Sequence, residues 1–266
     1  MRPRSAEPVP IERSARIGFD RAADRYARSR PEVPPEAIEA LVETLGLTGR
    51  STVLELGAGT GKFSRILAPR TGQYLALEPV PGMRALFHRG LPEIPLLAGV
   101  AEALPLRTGR VDAVVAVQAF HWFNAARAMQ EMHRVLRPDA RVGLVWNARD
   151  ESVDWMRQVS LILDRYDERN PRYARGAWRK SWSENAGFTP LEEQRFSFVQ
   201  RLDRAASLDR FLSISFIASL DGPRHAEAEA AFAKLLDTHP ETAGRPMIEH
   251  PYRCEVYTAR RLPEPG

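Results

Sequence analysis

An α/β fold built on an open, mostly parallel sheet is predicted by three features of this 266-residue chain. The apolar run Val53-Leu54-Glu55-Leu56 leads straight into Gly57, Gly59 and Gly61, then into Phe63, Ile66 and Leu67 at helical spacing. That pattern is a buried strand, a tight turn and a helix start. Val111 to Val117 is nearly continuous and valine-rich, as a strand covered on both faces must be. Other short apolar runs alternate with amphipathic helical patterns along the chain.

The elements follow in order. Ile17 to Tyr26 reads as a helix that breaks before the proline-rich stretch from Arg30 to Pro35. Pro35 to Leu47 forms an amphipathic helix on Ile38, Leu41, Val42 and Leu45, and Gly46 ends it. After the glycine turn, Gln73 to Glu78 is a second short strand ending in a carboxylate, and Ile94 to Leu97 supplies a third apolar run. The valine-rich strand runs into Gln118-Ala119-Phe120-His121-Trp122-Phe123. Ala125 to Leu136 is a helix with Met129, Met132, Val135 and Leu136 on one side; Arg137-Pro138-Asp139 breaks it, and Arg141 to Trp146 is the fifth strand. A helix through Trp155, Val159, Ile162 and Leu163 comes next, then an aromatic segment with Tyr166, Tyr173, Trp178 and Trp182. A sixth strand is expected near Arg195 to Val199, helices at 205–219 and 223–237, and a closing seventh strand from His250 to Arg260. We read 1–266 as one domain. Residues 1–47 would form N-terminal cap helices, 50–150 a ligand-binding core, and 151–185 with 203–245 insertions over the strand tips.

The glycine turn carries the chemistry. Glycine permits positive φ and has no Cβ, so a ligand can lie directly on its backbone. A dinucleotide fingerprint would need glycines at 57, 59 and 62, but position 62 is Lys62. A phosphate-cradling P-loop needs Ser or Thr directly after Gly-Lys, and Phe63 stands there. Glu78 lies about 20 residues beyond the turn, where a neighbouring parallel strand delivers an acid to a ribose. A carboxylate there has two acceptor oxygens for two vicinal hydroxyls, and it disfavours a ribose 2′-phosphate.

Glu55-x-Gly57-x-Gly59-x-Gly61 resembles motif I of the class I S-adenosylmethionine (SAM)-dependent methyltransferases, type 11-like. Gly99 to Pro105 is similar to that family's adenine-side loop, with Glu102 and Ala101 at the base. His121-Trp122-Phe123 resembles a small-molecule branch that includes trans-aconitate methyltransferase-like proteins, and Leu136-Arg137-Pro138 before a strand is a frequent family feature. The resemblance is strong over about residues 50–150. It implies a Rossmann-like class I methyltransferase fold: a seven-stranded, mostly parallel sheet with helices on both faces and a helical cap. It also implies SAM as cofactor, S-adenosylhomocysteine (SAH) as product and a small-molecule methyl acceptor. The cofactor residues it implies are Glu55, Gly57, Ala58, Gly59, Gly61, Glu78, Pro79, Ala101, Glu102 and Gln118, with Tyr26 and Arg30 from a segment that folds over the cofactor. Phe19, His121, Trp122 and Trp146 would form the acceptor pocket. Arg30 could meet the cofactor's carboxylate or an acidic acceptor.

His121, at a strand tip and titrating near neutrality, is the candidate proton acceptor. Its competing role is to bond the backbone and position its aromatic neighbours. A sulfonium methyl is already electrophilic, so the absence of a triad or paired acids is expected for such an enzyme. A carboxylate acceptor is favoured by the arginine near the cap and the want of a clear base.

Bulk properties narrow the field. The net charge is +4, from 38 basic and 34 acidic residues, but the arginines are dispersed, so a nucleic-acid partner is disfavoured. No apolar run reaches membrane-spanning length, and no hydrophobic leader follows the first residues. Cys254 is the only cysteine, so no internal disulfide or cysteine metal site is expected. These features fit a cytoplasmic protein without a metal. Two rivals stand beside the enzyme: a SAM-binding module without turnover, and a nicotinamide dehydrogenase that the misplaced third glycine disfavours.

Overall fold

The computed structural model describes residues 30–167, 176–184 and 187–263. The expected helix at 17–26, with Phe19 and Tyr26, and also Tyr173, lie outside the described residues. Helix α1 (Pro35–Leu45) starts on a proline, whose missing N–H costs nothing in a first turn. It ends at Gly46, whose left-handed φ of 63° turns its N–H back onto Glu43 and Val42. Then come β1 (Thr52–Leu56), α2 (Ser64–Leu67), β2 (Gln73–Leu77), α3 (Pro81–Gly90), β3 (Leu96–Leu97) and β4 (Val111–Val117). The chain continues through α4 (Ala125–Val135), β5 (Leu136–Arg149), α5 (Asp154–Arg165), α6 (Ala177–Ser183) and β6 (Glu192–Leu202). It closes with α7 (Arg204–Leu212), α8 (Ser215–Ala218), α9 (Gly222–Thr238) and β7 (Ile248–Arg260).

The seven strands form one sheet in the order β3-β2-β1-β4-β5-β7-β6. Pairs from β3 to β5 are parallel, and β7 runs antiparallel to both β5 and β6. The chain steps outward from β1 to β3 and then returns to the other side of β1. That reversal leaves a crevice between the carboxyl ends of β1 and β4, where open α/β sheets hold ligands.

Period-two alternation explains the continuous apolar strands. Leu54, Leu56, Val114, Ala116, Leu144 and Trp146 face one core, shared with Met129 and Met132 of α4. Val53, Ala113, Val115 and Val145 face the other, shared with Ile38 and Leu41 of α1. The second contact is tight: a Cβ on Gly143 of β5 would come within 2.6 Å of Leu41 Cδ1. A third cluster joins α5, α7 and α9 through Trp155, Phe211 and Phe232 to Ile248 and Tyr252 of β7. Tyr252 pairs with Arg149 at the end of β5, so this helical layer stands at the carboxyl edge of the sheet.

Two expected helices differ. α2 has four residues and gives way to a 3₁₀ turn, Ala68–Arg70, because Pro69 has no N–H to continue the ladder. The helix expected at 205–219 is two pieces, with Ile214 extended between them and Ser213 Oγ donating to the Arg210 carbonyl at 2.8 Å. A serine that bonds the backbone behind it competes with helical bonding.

Candidate active site

The glycine turn has all three glycines at positive φ: 70° at Gly57, 59° at Gly59 and 84° at Gly61. Their reasons differ. A Cβ on Gly57 would meet Ala119 Cβ at 2.7 Å, and one on Gly61 would meet Leu91 Cδ1 at 2.6 Å. Those two glycines let the turn pack. Among the described residues no atom beyond its chain neighbours lies within 4 Å of a Cβ added at Gly59, so its backbone faces open space there.

Glu78 lies directly beneath. Its Oε2 accepts from the Gly59 N–H at 2.8 Å, and its Oε1 accepts from the Val80 N–H at 2.8 Å. The carboxylate is buried, and burial raises its pKa against the lowering effect of those two N–H groups. Each oxygen has a second acceptor direction beyond these bonds. The sequence-predicted pairing of Glu78 with the glycine turn is thus a physical contact.

Glu55 sits one strand inward and is spoken for. Its Oε2 accepts from Ser64 Oγ and, at 2.9 Å, from Tyr74 OH. Burial pushes its carboxyl up to about 7, against the Ser64 and Tyr74 bonds. It braces the turn from below.

Two adjoining cavities open at the crevice. The smaller is lined by Glu55, Gly57, Ala58, Gly59, Thr60 and Lys62 among others. The larger, about 530 Å³, is lined by His121 and Trp122 and by residues of α5, α7 and α8. Arg30, Gln118, Asn147 and Arg210 line both. Gln118 holds a left-handed φ of 57°, an uncommon posture for a non-glycine residue that concentrates at functional sites. Its N–H donates to the Val145 carbonyl at 2.8 Å, which extends β4 by one bond before the chain turns.

Several expected residues sit elsewhere. Gly61 packs against Phe87 and Leu91, and Pro79 accepts Arg84 Nη1 at 2.6 Å; neither lines these cavities. Ala101 is buried in the core. Glu102 accepts the Asn124 N–H at 2.6 Å and so braces the start of α4. Trp146 is buried behind the acceptor cavity, stacked on Trp178 at 4.5 Å between centroids; its ring packs the core and forms no wall.

His121 corrects the sequence reading. Its Nδ1 is 3.1 Å from Trp146 Nε1, and an indole nitrogen can only donate. Nδ1 therefore carries no proton, and the ring's hydrogen is on Nε2. Burial, with Arg30 adding a smaller push, lowers the ring's pKa to about 3. With its free lone pair engaged, His121 offers the cavity a donor and cannot serve as the expected base.

Sequence reasoning missed Asn147, Lys62 and Arg210. Asn147 Nδ2 donates to the carbonyls of Pro31 and Glu32 at 3.3 and 3.0 Å, and among the described residues its buried Oδ1 has no partner. Its position just past the apolar stretch of β5, level with the tip of β4, was the available signal. Lys62 Nζ donates to the Arg30 carbonyl at 2.8 Å. Burial first, then the charges of Arg210, Arg30 and Arg65, lower its pKa. Among the described residues no cluster of metal-ligating side chains occurs, and no helix is long and apolar enough to cross a membrane.

Known proteins resemble this chain in sequence and in fold. A methyltransferase domain model matches residues 54–144, from β1 into β5. An uncharacterized methyltransferase of Mycobacterium tuberculosis is 35% identical over 240 residues, covering 90% of this chain and 94% of that one. An uncharacterized methyltransferase-like protein of Schizosaccharomyces pombe is 33% identical over 239 residues, covering 90% and 93%. Among solved structures, the [4+2]-cyclase SpnF superposes with a TM-score of 0.56 at 16% identity, covering 96% of this chain and 99% of that one. That likeness bears on the fold alone.

Proposed function

Because the chain belongs to the methyltransferase family, we propose that it moves a methyl group from SAM to a small organic acceptor. The observation that carries this reading is the bare backbone at Gly59, held over Glu78 and open to the cavity. The residues fit the cofactor. Gly57 to Gly59 would take its backbone-facing side, and the second acceptor directions of Glu78 would take its ribose hydroxyls. The unmet Oδ1 of Asn147 suits an ammonium donor. Arg30 and Gln118, which line both cavities, would close the aminoacyl end. Residues 1–47 would form the cap of a single domain, with 151–185 and 203–245 as insertions on its substrate side.

When bound, SAM supplies a methyl that is already electrophilic, so the protein's task is alignment. The acceptor would enter the larger cavity beside His121 and Trp122. His121 holds its tautomer through Trp146 and presents an N–H donor, which orients the acceptor without removing a proton. An acceptor that arrives deprotonated suits such a wall.

Calorimetric titration with SAH, joined to a methyl-transfer assay over a panel of small acceptors, tests the reading. Saturable one-site binding and turnover of a panel member are expected. No binding of SAH would sink it, and binding without turnover of any acceptor would favour the inactive module. A second expectation concerns pH. With His121 neutral down to about 3, the rate should show no ionisation near pH 6.5, and a His121→Gln protein should keep kcat within about tenfold while KM rises. A rate that falls with a protonation near pH 6.5, and loses that step in His121→Gln, would restore the base.

A further inference from the structure

We propose that Arg210 is the anchor for an anionic group on the methyl acceptor, which makes small organic acids the acceptor class. The inference rests on the methyltransferase reading. Arg210 follows Ser207 by three positions and precedes Phe211 and Ile214, so helical spacing turns it onto the buried stripe of α7. It is 3% exposed, and among the described residues its Nε and Nη1 have no hydrogen-bond partner. The centroid of the Tyr252 ring lies 6.0 Å from its Cζ. Buried guanidinium groups normally find carboxylates, because an uncompensated charge away from water is costly.

Four other arginines of the larger cavity show the contrast. Arg253 pairs with Asp150 at 3.0 Å, Arg157 with Asp154, Arg195 with Glu193 at 2.7 Å, and Arg149 Nε donates to Ser160 Oγ at 3.0 Å. Seven arginines line that cavity against three carboxylates. Asp150, Asp154 and Glu193, which pair with three of the seven, offset part of that excess. Among the described residues Arg210 Nε and Nη1 meet no acceptor, and buried donors of that kind call for an anion.

Two sources could supply it: the acceptor, or the carboxylate of the cofactor's aminoacyl end. The location of Arg210 favours the acceptor. Its chain segment contributes Ile214, Ser215 and Phe216 to the larger cavity as well, but only Arg210 to the smaller one by the glycine turn. The unpaired charge is thus a stored recognition element, kept at the expense of stability.

Calorimetry on the full chain tests this with SAH and with a panel of mono-, di- and tricarboxylic acids plus organic phosphates, each measured against neutral amide counterparts. Wild-type protein should bind at least one acid and not its amide. In Arg210→Met that acid should bind about thirtyfold or more weakly, SAH should bind within about threefold of wild type, and the melting temperature should rise because an uncompensated charge has left the core. Arg210→Lys, which keeps the charge with fewer fixed donors, should fall between. Arg204→Gln, exposed and paired with Asp237, should match wild type. Loss of SAH binding in Arg210→Met with acid binding intact would assign the guanidinium to the cofactor and overturn the proposal. So would a panel with no Arg210-dependent member, or a lowered melting temperature with acid binding unchanged. Failure of wild-type protein to bind SAH would instead strike the methyltransferase reading, and the acid titrations on ligand-free protein would still decide the role of Arg210.

Discussion

A Gly59→Val protein is expected to lose SAH affinity by about a hundredfold or more, with the sheet still folded. Two effects add. A valine at φ of 59° must adopt the left-handed region, which costs an L-residue about 1–2 kcal/mol and a β-branched one more. Its side chain would also project where Gly59 now faces open space, into the volume assigned to the ligand. Among the described residues no atom would clash there, so the steric part of the damage should appear in binding and only the φ strain in folding. Gly57 and Gly61 make the comparison informative. Their added Cβ atoms would strike Ala119 and Leu91, so alanine at either should lower the melting temperature first. Calorimetry with SAH beside thermal melts separates the cases. An unchanged SAH affinity in Gly59→Val would remove the ligand from this turn.

The second large effect concerns pH. Glu55→Gln is expected to stabilise the protein by about 3 kcal/mol at pH 8 and by little at pH 4. The carboxyl is held near 7 in the folded protein against an ordinary value of 4.5. Below pH 4.5 both states hold the proton, and Glu55 makes no difference. As pH rises from 4.5 to 7 the unfolded chain ionises first, so the native protein loses stability, fully by pH 8. Glutamine stays neutral, and its oxygen can still accept from Ser64 and Tyr74. Urea unfolding of both proteins at pH 4, 6 and 8 measures the divergence. Parallel curves with a constant gap would mean that Glu55 is not buried as a neutral acid.

What could be read in the sequence was what local pattern decides. Strands β1, β2 and β4 are short apolar runs with clear ends, and the glycine turn declares itself because only glycine tolerates three positive φ values so close together. Glu78 was legible through its distance from that turn. The halves of the helix at 205–219 were not, because the break depends on Ser213 reaching back to Arg210. His121 misled for a similar reason: residue type suggested a base, while the indole that occupies its lone pair comes from another strand. Asn147 and Arg210 acquire meaning only from the cavity they share, which three distant segments assemble. Residue identity names a group's chemistry, and neighbours from elsewhere decide which part of that chemistry remains in use.

The place of β7 has a consequence for biosynthesis. This strand lies between β5 and β6, yet follows β6 in the chain by 45 residues or more. A nascent chain that has emerged only as far as α9 therefore carries β6 with no neighbour and β5 with a bare flank, three open rows of N–H and C=O groups. Sheet closure must wait for a late, long-range insertion, and such topologies assemble slowly. Until then the incomplete protein is a template for strand exchange between copies, and truncations that remove residues 248–260 should accumulate as aggregates rather than as a smaller working enzyme.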